Sequence, residues 1–224
     1  MNLKYERIKF NWESFIYLIR FNKLLRYKER IVKALPLLIT LLSFYSNAET
    51  KIFEEFQFYE VAPTSKNDLL RTLNRTSPIR ENGEVFHGYT KYNINWRFWW
   101  KTNDNQCVFT KVETTLKLKY TLPKLKSSKS DVNAIWSNWY PNLKIHEEGH
   151  AELAKNIANK IDKRLLSIGP KSDCNILEKS ANNLAYKLMD ELKEANKNYD
   201  VNTNHGETQK AWLYLHLDKS GGNH

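Results

Sequence analysis

The stretch IHEEGHAELA, residues 145–154, places two histidines four residues apart with a glutamate directly after the first. On a helix, His146 and His150 lie on one face, one turn apart, so both imidazoles can bind the same metal ion. Glu147 can then hold a water molecule and accept its proton as the general base. The pattern predicts a Zn²⁺ site for hydrolysis by metal-activated water; a charged helix that matches by chance is the alternative.

A catalytic zinc ion needs about three protein ligands and one open position for water. The polar segment YDVNTNHGETQ, residues 199–209, follows the last predicted helix and is rich in turn residues. We expect this loop to fold back so that His205 becomes the third ligand. In the same loop, Asp200 is a candidate to orient an imidazole, and Tyr199 is a candidate catalytic residue that stabilises an oxyanion. A plain exposed loop is the alternative.

Four other side chains compete for the place of third ligand. Glu178 and Glu191 lie on the second predicted helix and would replace the imidazole by a carboxylate. His87 and His216 are weaker candidates, because a lone histidine is usually an ordinary surface or core residue. Gly149 lies inside the motif and costs a helix about 1 kcal/mol relative to alanine, which indicates close approach by another backbone, with tight helix packing as the alternative.

The remaining sequence predicts the elements that position these residues. Apolar and polar residues alternate in KIFEEFQFYEV, GYTKYNINWRFWW and CVFTKVETTLKLKYTL, which predicts three strands, the last two joined as an antiparallel hairpin. A short helix is expected between the first two strands. From Ser130 onward the apolar period becomes helical, with Pro141 as a kink or a second helix start. The predicted fold is α+β: an N-terminal antiparallel sheet of about three strands with one short helix, packed on two long C-terminal helices, one bearing HExxH.

The first 48 residues differ in composition from the rest of the chain. They contain nine Lys or Arg against three acids, and they end with the apolar run ALPLLITLLSFY, residues 34–45, and the small residues SNA. This order predicts a secretory signal peptide over residues 1–48, cleaved after Ala48, with an uncleaved N-terminal membrane anchor as the alternative. Residues 49–224 then form a single exported domain.

The predicted export and the net charge beyond residue 48 bear on the cysteines and on the class of binding partner. Cys107 and Cys174 both follow residue 48, so in an oxidising compartment we expect them to form one disulfide. The formal net charge of +10 falls to about +4 beyond residue 48, because the first 48 residues contribute +6. This modest surplus disfavours a nucleic-acid-binding protein.

The quoted segments together resemble a bacterial family of predicted secreted zinc-dependent proteases, the domain of unknown function 922. The resemblance rests on FYEV with the following helix, INWRFWW, the cysteine before a strand ending in YTLP, HEEGH, the second cysteine, and YDVNTNHG followed by a glutamine. It implies one compact exported domain and a metallopeptidase-like site at His146, Glu147 and His150, with the NHG loop as part of it. Lys210 departs from the expected pattern, in which a glycine stands, and this leaves the shape of the closing loop open.

We therefore expect a secreted or periplasmic zinc-dependent hydrolase, most simply a monomeric peptidase acting on a peptide or protein substrate in the cell envelope. Membrane contact is expected only through the N-terminal segment, if that segment is not cleaved. One alternative is a non-catalytic envelope binding protein with a structural or vestigial metal site. The other is nucleic-acid binding through NWRFWW, which is disfavoured because alternating aromatic residues in a strand usually form core.

Overall fold

The computed structural model describes residues 48–217, except residues 82 and 104. Residues 1–47 of the predicted signal peptide lie outside the described residues. The elements follow in the order β1 (Ala48–Val61), α1 (Leu69–Thr76), β2 (Ile79–Glu81), β3 (Glu84–Phe86), β4 (Tyr89–Asn103), β5 (Gln106–Leu125), α2 (Ser130–Leu166) and α3 (Cys174–Thr203). Within residues 48–217, none of these helices combines the length and the apolar character needed to cross a bilayer.

The α+β fold is confirmed: strands and one short helix precede two long helices. The three long strands form a sheet in the order β1-β5-β4, with β5 in the middle. β4 and β5 form the expected antiparallel hairpin, from Tyr89 opposite Thr121 to Asn103 opposite Gln106. The second, two-stranded sheet of β2 and β3 was not expected, because strands of three residues are too short for a periodic pattern.

The expectation of an entirely antiparallel sheet is wrong in one pairing. β1 pairs with β5 in parallel, from Ala48 opposite Val112 to Val61 opposite Leu125. After β1, the chain passes through α1 and the β2–β3 hairpin and enters β4 at the end of the sheet where β1 finishes. β4 therefore runs in the direction opposite to β1. β5 turns back from β4, inserts between the two strands and runs parallel to β1. The sheet is mixed for this reason.

The two long helices cover the sheet: α2 packs across β5, and α3 packs against α2. α2 continues through Pro141, which is exposed. Proline lacks the N–H that would bond the carbonyl of Ser137, but Ser137 is exposed as well, so water can satisfy that carbonyl. The helix therefore needs no break at this position.

Small side chains allow the helices to approach closely. Five alanines of the two helices are buried, namely Ala151, Ala154 and Ala158 on α2 and Ala181 and Ala185 on α3. The side of α2 that faces the sheet also carries the buried carboxylate of Asp162, which accepts hydrogen bonds from Thr50 on β1 and Thr114 on β5. These contacts fix the rotation of α2 over the sheet, and this rotation sets which side chains of the HEEGH motif face inward.

The predicted disulfide is confirmed. Cys107, at the start of β5, is bonded to Cys174, the first residue of α3. The same strand end also exchanges backbone hydrogen bonds with Lys171, just before α3. The tip of the β4–β5 hairpin is thereby fastened to the start of α3, while the other end of α3 lies beside the HEEGH helix.

Candidate metal centre

The middle of α2 and the end of α3 bring three metal-binding side chains together. His146 and His150 are one helical turn apart on α2, and Asp200 lies in the last turn of α3. The Nε2 atom of His150 is 3.0 Å from Asp200 Oδ1, and the Nε2 atom of His146 is 3.6 Å from the same oxygen. One ligand atom from each of the three residues lies within 4.8 Å of the other two.

These distances suit a tetrahedral metal ion. With zinc bonds of about 2.0–2.1 Å, two ligand atoms at tetrahedral positions lie roughly 3.3 Å apart. Both imidazole–carboxylate separations, 3.0 and 3.6 Å, bracket this value. Two imidazoles and one carboxylate are also a donor set that zinc accepts in catalytic sites, with the fourth position left for water. The residues present therefore fit a zinc ion.

Each histidine is held in the tautomer that a metal requires. The Nδ1 atom of His146 is 2.8 Å from the amide oxygen of Gln209, and the Nδ1 atom of His150 is 2.7 Å from the amide oxygen of Asn196. An amide oxygen can only accept, so both Nδ1 atoms carry a proton, and in the neutral ring the Nε2 atom, which faces Asp200, is the one left to bind a metal ion. The Asn196 amide is itself oriented, because its Nδ2 donates to the carbonyl of Leu192 at 2.9 Å.

The Tyr199 ring packs against both imidazole rings. Its ring stacks on His146, with centroids 5.2 Å apart, and meets His150 edge to face at 4.9 Å. Its hydroxyl donates to the carbonyl of His146 at 3.3 Å and accepts from Gln209 Nε2 at 3.0 Å. A Cβ on Gly149 would lie 2.1 Å from this hydroxyl. The expectation of another backbone at Gly149 is wrong: the close approach is made by the side chain of Tyr199.

Glu147 lies beside the histidines and is 4% exposed. Thr90 on β4 donates its hydroxyl to Glu147 Oε2 at 2.7 Å. The other carboxylate oxygen faces Gly88, where a Cβ would come within 2.6 Å of it. Burial raises the pKa of Glu147 to about 7, and the hydrogen bond from Thr90 opposes part of that rise. A carboxylate in this state suits a general base near neutral pH.

The charges of the cluster depend on one another. Burial lowers the pKa of His146, and the hydrogen bond to Gln209 only partly opposes this effect. Burial acts in the same direction on His150, but its hydrogen bonds to Asp200 and Asn196 outweigh burial and raise its pKa. Burial would raise the pKa of Asp200, yet the hydrogen bond to His150 and the nearby histidines hold it below its ordinary value. Asp200 is therefore an anion that lies between two imidazoles, and the three side chains can bind one cation together.

The cluster opens into a cavity of about 560 Å³ between the start of β4, the β2–β3 hairpin and the two long helices. His146, Glu147, His150 and Asp200 all line it, together with Gly88 and Thr90 from β4. A small molecule or part of a longer chain can therefore reach the face on which the two Nε2 atoms and the Glu147 carboxylate meet.

His205 was expected as the third ligand, and Asp200 was expected to orient an imidazole. In the structure, Asp200 takes the place of the third ligand. His205 lines the same cavity, but it is exposed, has a φ of +51°, and lies against the ring of Phe86 with centroids 6.0 Å apart. It does not belong to the group of three ligand atoms, and Asp200 takes that place. The NHG loop contributes instead through Gly206, at φ +87°, where a Cβ would lie 3.0 Å from the His146 ring.

The other expected residues lie apart from the cluster. Along α3, at 1.5 Å per residue, Glu191 and Glu178 precede Asp200 by about 13 and 33 Å, so neither reaches it. Glu191 forms an ion pair with Lys160. Tyr199 does not line the cavity among the described residues, so this geometry gives no support to an oxyanion role for its hydroxyl.

His87 and His216, the weaker candidates, have other partners. His87 is buried, lines the cavity, and bonds Asn74 through Nε2 at 2.7 Å. His216 lies 2.8 Å from the carbonyl of Lys210 through its Nε2. Neither belongs to the group of three ligand atoms found among residues 48–217.

Residues 56–206 match the family described as "Bacterial protein of unknown function (DUF922)". The chain belongs to this family. The match covers more than half of the chain and includes β4, β5 and the whole His146–Asp200 cluster, while Gln209 lies just beyond it. Neither a curated protein nor a solved structure was found to match the chain.

Sequence reasoning missed four residues of this site: Gly88, Thr90, Asn196 and Gln209. Three of them act only through contacts with residues distant in the chain, as Thr90 does with Glu147, 57 positions away. Asn196 was detectable in principle, because it lies four residues before Asp200 and therefore on the same face of α3. An amide side chain one helical turn from a candidate metal ligand is the pattern that could have indicated Asn196.

Proposed function

We propose that this member of the family is a zinc-dependent hydrolase of the peptidase type, in which His146, His150 and Asp200 hold the metal. One observation carries the proposal: both Nε2 atoms face Asp200 Oδ1 while both Nδ1 atoms are bonded to amide oxygens. The 3.6 Å separation between His146 Nε2 and Asp200 Oδ1 is too long for a hydrogen bond, but it is close to the spacing of two ligand atoms on one metal ion.

The roles of the residues follow from their positions. When bound, zinc would supply a water molecule of lowered pKa and a Lewis acid for a carbonyl oxygen. Glu147 accepts the proton of the attacking water, because its carboxylate lines the cavity beside both histidines. Thr90 holds one oxygen of that carboxylate and thereby orients the other, and Tyr199 with Gln209 keeps the His146 ring in place.

An open metal site and an accessible strand support hydrolysis of a peptide. Three protein ligands leave the fourth tetrahedral position free for water, whereas a structural zinc site is closed by four. The start of β4 lines the cavity, and β4 is an edge strand of the three-stranded sheet within residues 48–217. An extended peptide can pair with such an edge by backbone hydrogen bonds. The substrate proposed is a peptide or protein of the cell envelope, met by a secreted or periplasmic enzyme.

Elemental analysis of the purified protein tests the metal. We expect one zinc per chain in the wild type, and loss of zinc in His146→Ala, His150→Ala and Asp200→Ala. His205→Ala should keep the metal, and a loss there would restore His205 as a ligand. The same donor set can bind Fe²⁺, so iron is measured in the same samples. A wild type that takes up neither metal would favour the non-catalytic envelope protein.

Activity requires a separate pair of variants. Glu147→Gln should retain zinc and lose hydrolysis of an unfolded protein substrate, because its amide cannot accept the proton. Glu148→Gln is the matched control: Glu148 is the next residue in the motif, is exposed and pairs with Lys144. It should keep both zinc and activity. Zinc binding by a wild type that cleaves no peptide bond would assign the metal a structural role.

A further inference from the structure

The end of the sheet farthest from the metal-binding cluster carries a second candidate functional surface. It is the tip of the β4–β5 hairpin, residues 97–111, here called the aromatic tip. It contains most of the NWRFWW motif, for which the proposed hydrolase has no use.

Two tryptophans at the aromatic tip remain partly in water. Trp99 and Trp100 are 43% and 42% exposed. A register shift between them marks a β-bulge, a feature that re-aims side chains along a strand. Trp100 packs on Phe98, with centroids 5.8 Å apart, and Phe98 packs on Phe109 at 5.0 Å. The aromatic tip is thus a cluster of rings that is only half buried by the rest of the domain.

Cations accompany these rings. Residues 97–111 carry three Lys or Arg against one acid. Lys111 lies over the Trp99 ring, 4.8 Å from its centroid, although it also pairs with Glu113. Arg97 and Lys101 are exposed. Tryptophan prefers the boundary between lipid and water, and lysine or arginine beside it attracts anionic headgroups.

The chain enters the domain at the same end of the sheet. Ala48, the first residue of β1, lies opposite Val112, which lies opposite Phe98 at the base of the aromatic tip. In the sequence, the apolar run of residues 34–45, preceded by basic residues, ends just before β1. A segment of this composition is one that a membrane receives, whether as a signal or as an anchor. We propose that the aromatic tip docks the domain on the surface of an anionic lipid bilayer.

Docking through the aromatic tip would set the distance between the bilayer surface and the metal-binding cluster. Thr90 and Trp100 are about ten residues apart on β4, which at about 3.4 Å per residue places them roughly 30 Å apart. The disulfide between Cys107 and Cys174 holds the aromatic tip to the start of α3, and Asp200 lies at the other end of that helix. A bilayer under the aromatic tip therefore faces away from the cavity, which remains open to soluble or surface-attached substrates.

Depth-dependent fluorescence quenching tests the proposal in the full chain. All proteins carry Trp12→Phe, so that every remaining tryptophan lies within the described residues. Each is bound to vesicles of equal parts phosphatidylcholine and phosphatidylglycerol whose acyl chains are brominated. We expect the lipid to quench tryptophan fluorescence, and Trp99→Phe with Trp100→Phe to remove most of that quenching. The matched control Trp212→Phe, on the cavity wall, should leave the quenching unchanged.

A charge reversal provides the second test, which does not depend on replacing the rings. Lys101→Glu should reduce the quenched fraction on these vesicles, because it replaces an attraction to the anionic lipid by a repulsion. Lys124→Glu, near the opposite end of β5, should not. Quenching that survives in the double tryptophan variant overturns the proposal. Absence of quenching in the reference protein overturns it as well, and would favour a protein partner for the aromatic tip.

Discussion

The two ends of the sheet are held together by different means. At the aromatic tip, a disulfide and a pair of backbone hydrogen bonds fasten β5 to the start of α3. At the cavity, hydrogen bonds between buried polar side chains, stacked rings and close approaches to glycine set the geometry. One end is thus held by a covalent bond, and the other by several weak contacts. This contrast indicates that stability and metal binding can be altered separately.

Removal of the disulfide should have the largest effect and should act on one end alone. Cys107→Ser with Cys174→Ser releases a loop with a sequence separation of 67. Chain entropy then lowers the free energy of unfolding by about 4 kcal/mol. Denaturant unfolding measures this loss, and a zinc titration of the folded variant should give the wild-type affinity. A parallel fall in zinc affinity would show that the two ends are coupled.

Acid should destabilise the cavity end through His87. Burial lowers the pKa of His87 to about 4 from its ordinary 6.5, so the native state binds this proton less readily than the unfolded state. The stabilising contribution of neutral His87 is complete above pH 6.5 and is lost as the pH falls toward 4, by about 3 kcal/mol. Unfolding with a chelator present should show the wild type losing this much relative to His87→Gln. An equal pH dependence of the two proteins would contradict the assignment.

A methyl group on Gly149 should disturb the cavity end alone. In Gly149→Ala the new Cβ meets the Tyr199 hydroxyl at 2.1 Å, so the ring that supports both histidines must move. We expect a loss of about 1–3 kcal/mol in the free energy of unfolding, together with weaker zinc binding. The control is Gly169→Ala, where a Cβ meets nothing within 4 Å. Equal behaviour of the two variants would remove Tyr199 from its supporting role.

Removing the Asn196 amide, which bonds His150 Nδ1, should change metal affinity more than the free energy of unfolding. Asn196→Ala removes the acceptor that fixes the His150 tautomer, and we expect zinc affinity to fall by about 10–100-fold. Asn142→Ala is the control, since Asn142 makes only the equivalent helix contact, to the carbonyl of Asn138 at 2.8 Å. Competition with a chromophoric chelator measures both affinities. Unchanged affinity in Asn196→Ala would mean that the imidazole is oriented without it.

The smallest effect is expected at Lys210, where the sequence departs from its family pattern. Lys210 has a φ of +60°, a conformation that glycine adopts without steric cost. Lys210→Gly should therefore raise the free energy of unfolding by up to about 1 kcal/mol, after the greater flexibility of glycine in the unfolded chain is counted. Thermal unfolding measures the gain. A loss of stability would mean that the lysine side chain makes a contact worth more than the backbone strain.

Local sequence patterns predicted the elements well and the contacts between them poorly. The alternation in β1, β4 and β5 and the helical period after Ser130 are properties of single segments, so one sequence reveals them. The insertion of β5 between β1 and β4 depends on how segments meet, and it was missed. The rotation of α2 depends on such meetings as well: Ile145 is 53% exposed, while His146 and Glu147 directly after it are buried.

The candidate site was predicted in the same uneven way. The spacing of His146 and His150 on one helix is local, and both imidazoles do face one point. Asp200 lies in the last turn of α3 and His205 lies two residues beyond it, so the choice between them depends on the turn that closes the helix. Asn204 and His205 both have left-handed backbone angles, which turn the chain and leave His205 exposed. Asparagine often adopts such angles at a helix end, but the sequence alone does not show where the helix ends.

The hydrogen bond between Gln209 and His146 has a consequence for the order of events during synthesis. The two residues are 63 positions apart, and Gln209 is among the last described residues to be made. Until it emerges, nothing else in the described structure accepts the Nδ1 proton of His146, so the imidazole exchanges freely between its two tautomers. A growing chain therefore holds an incomplete cluster. In the zinc hydrolase proposed above, metal binding would follow the synthesis of Gln209.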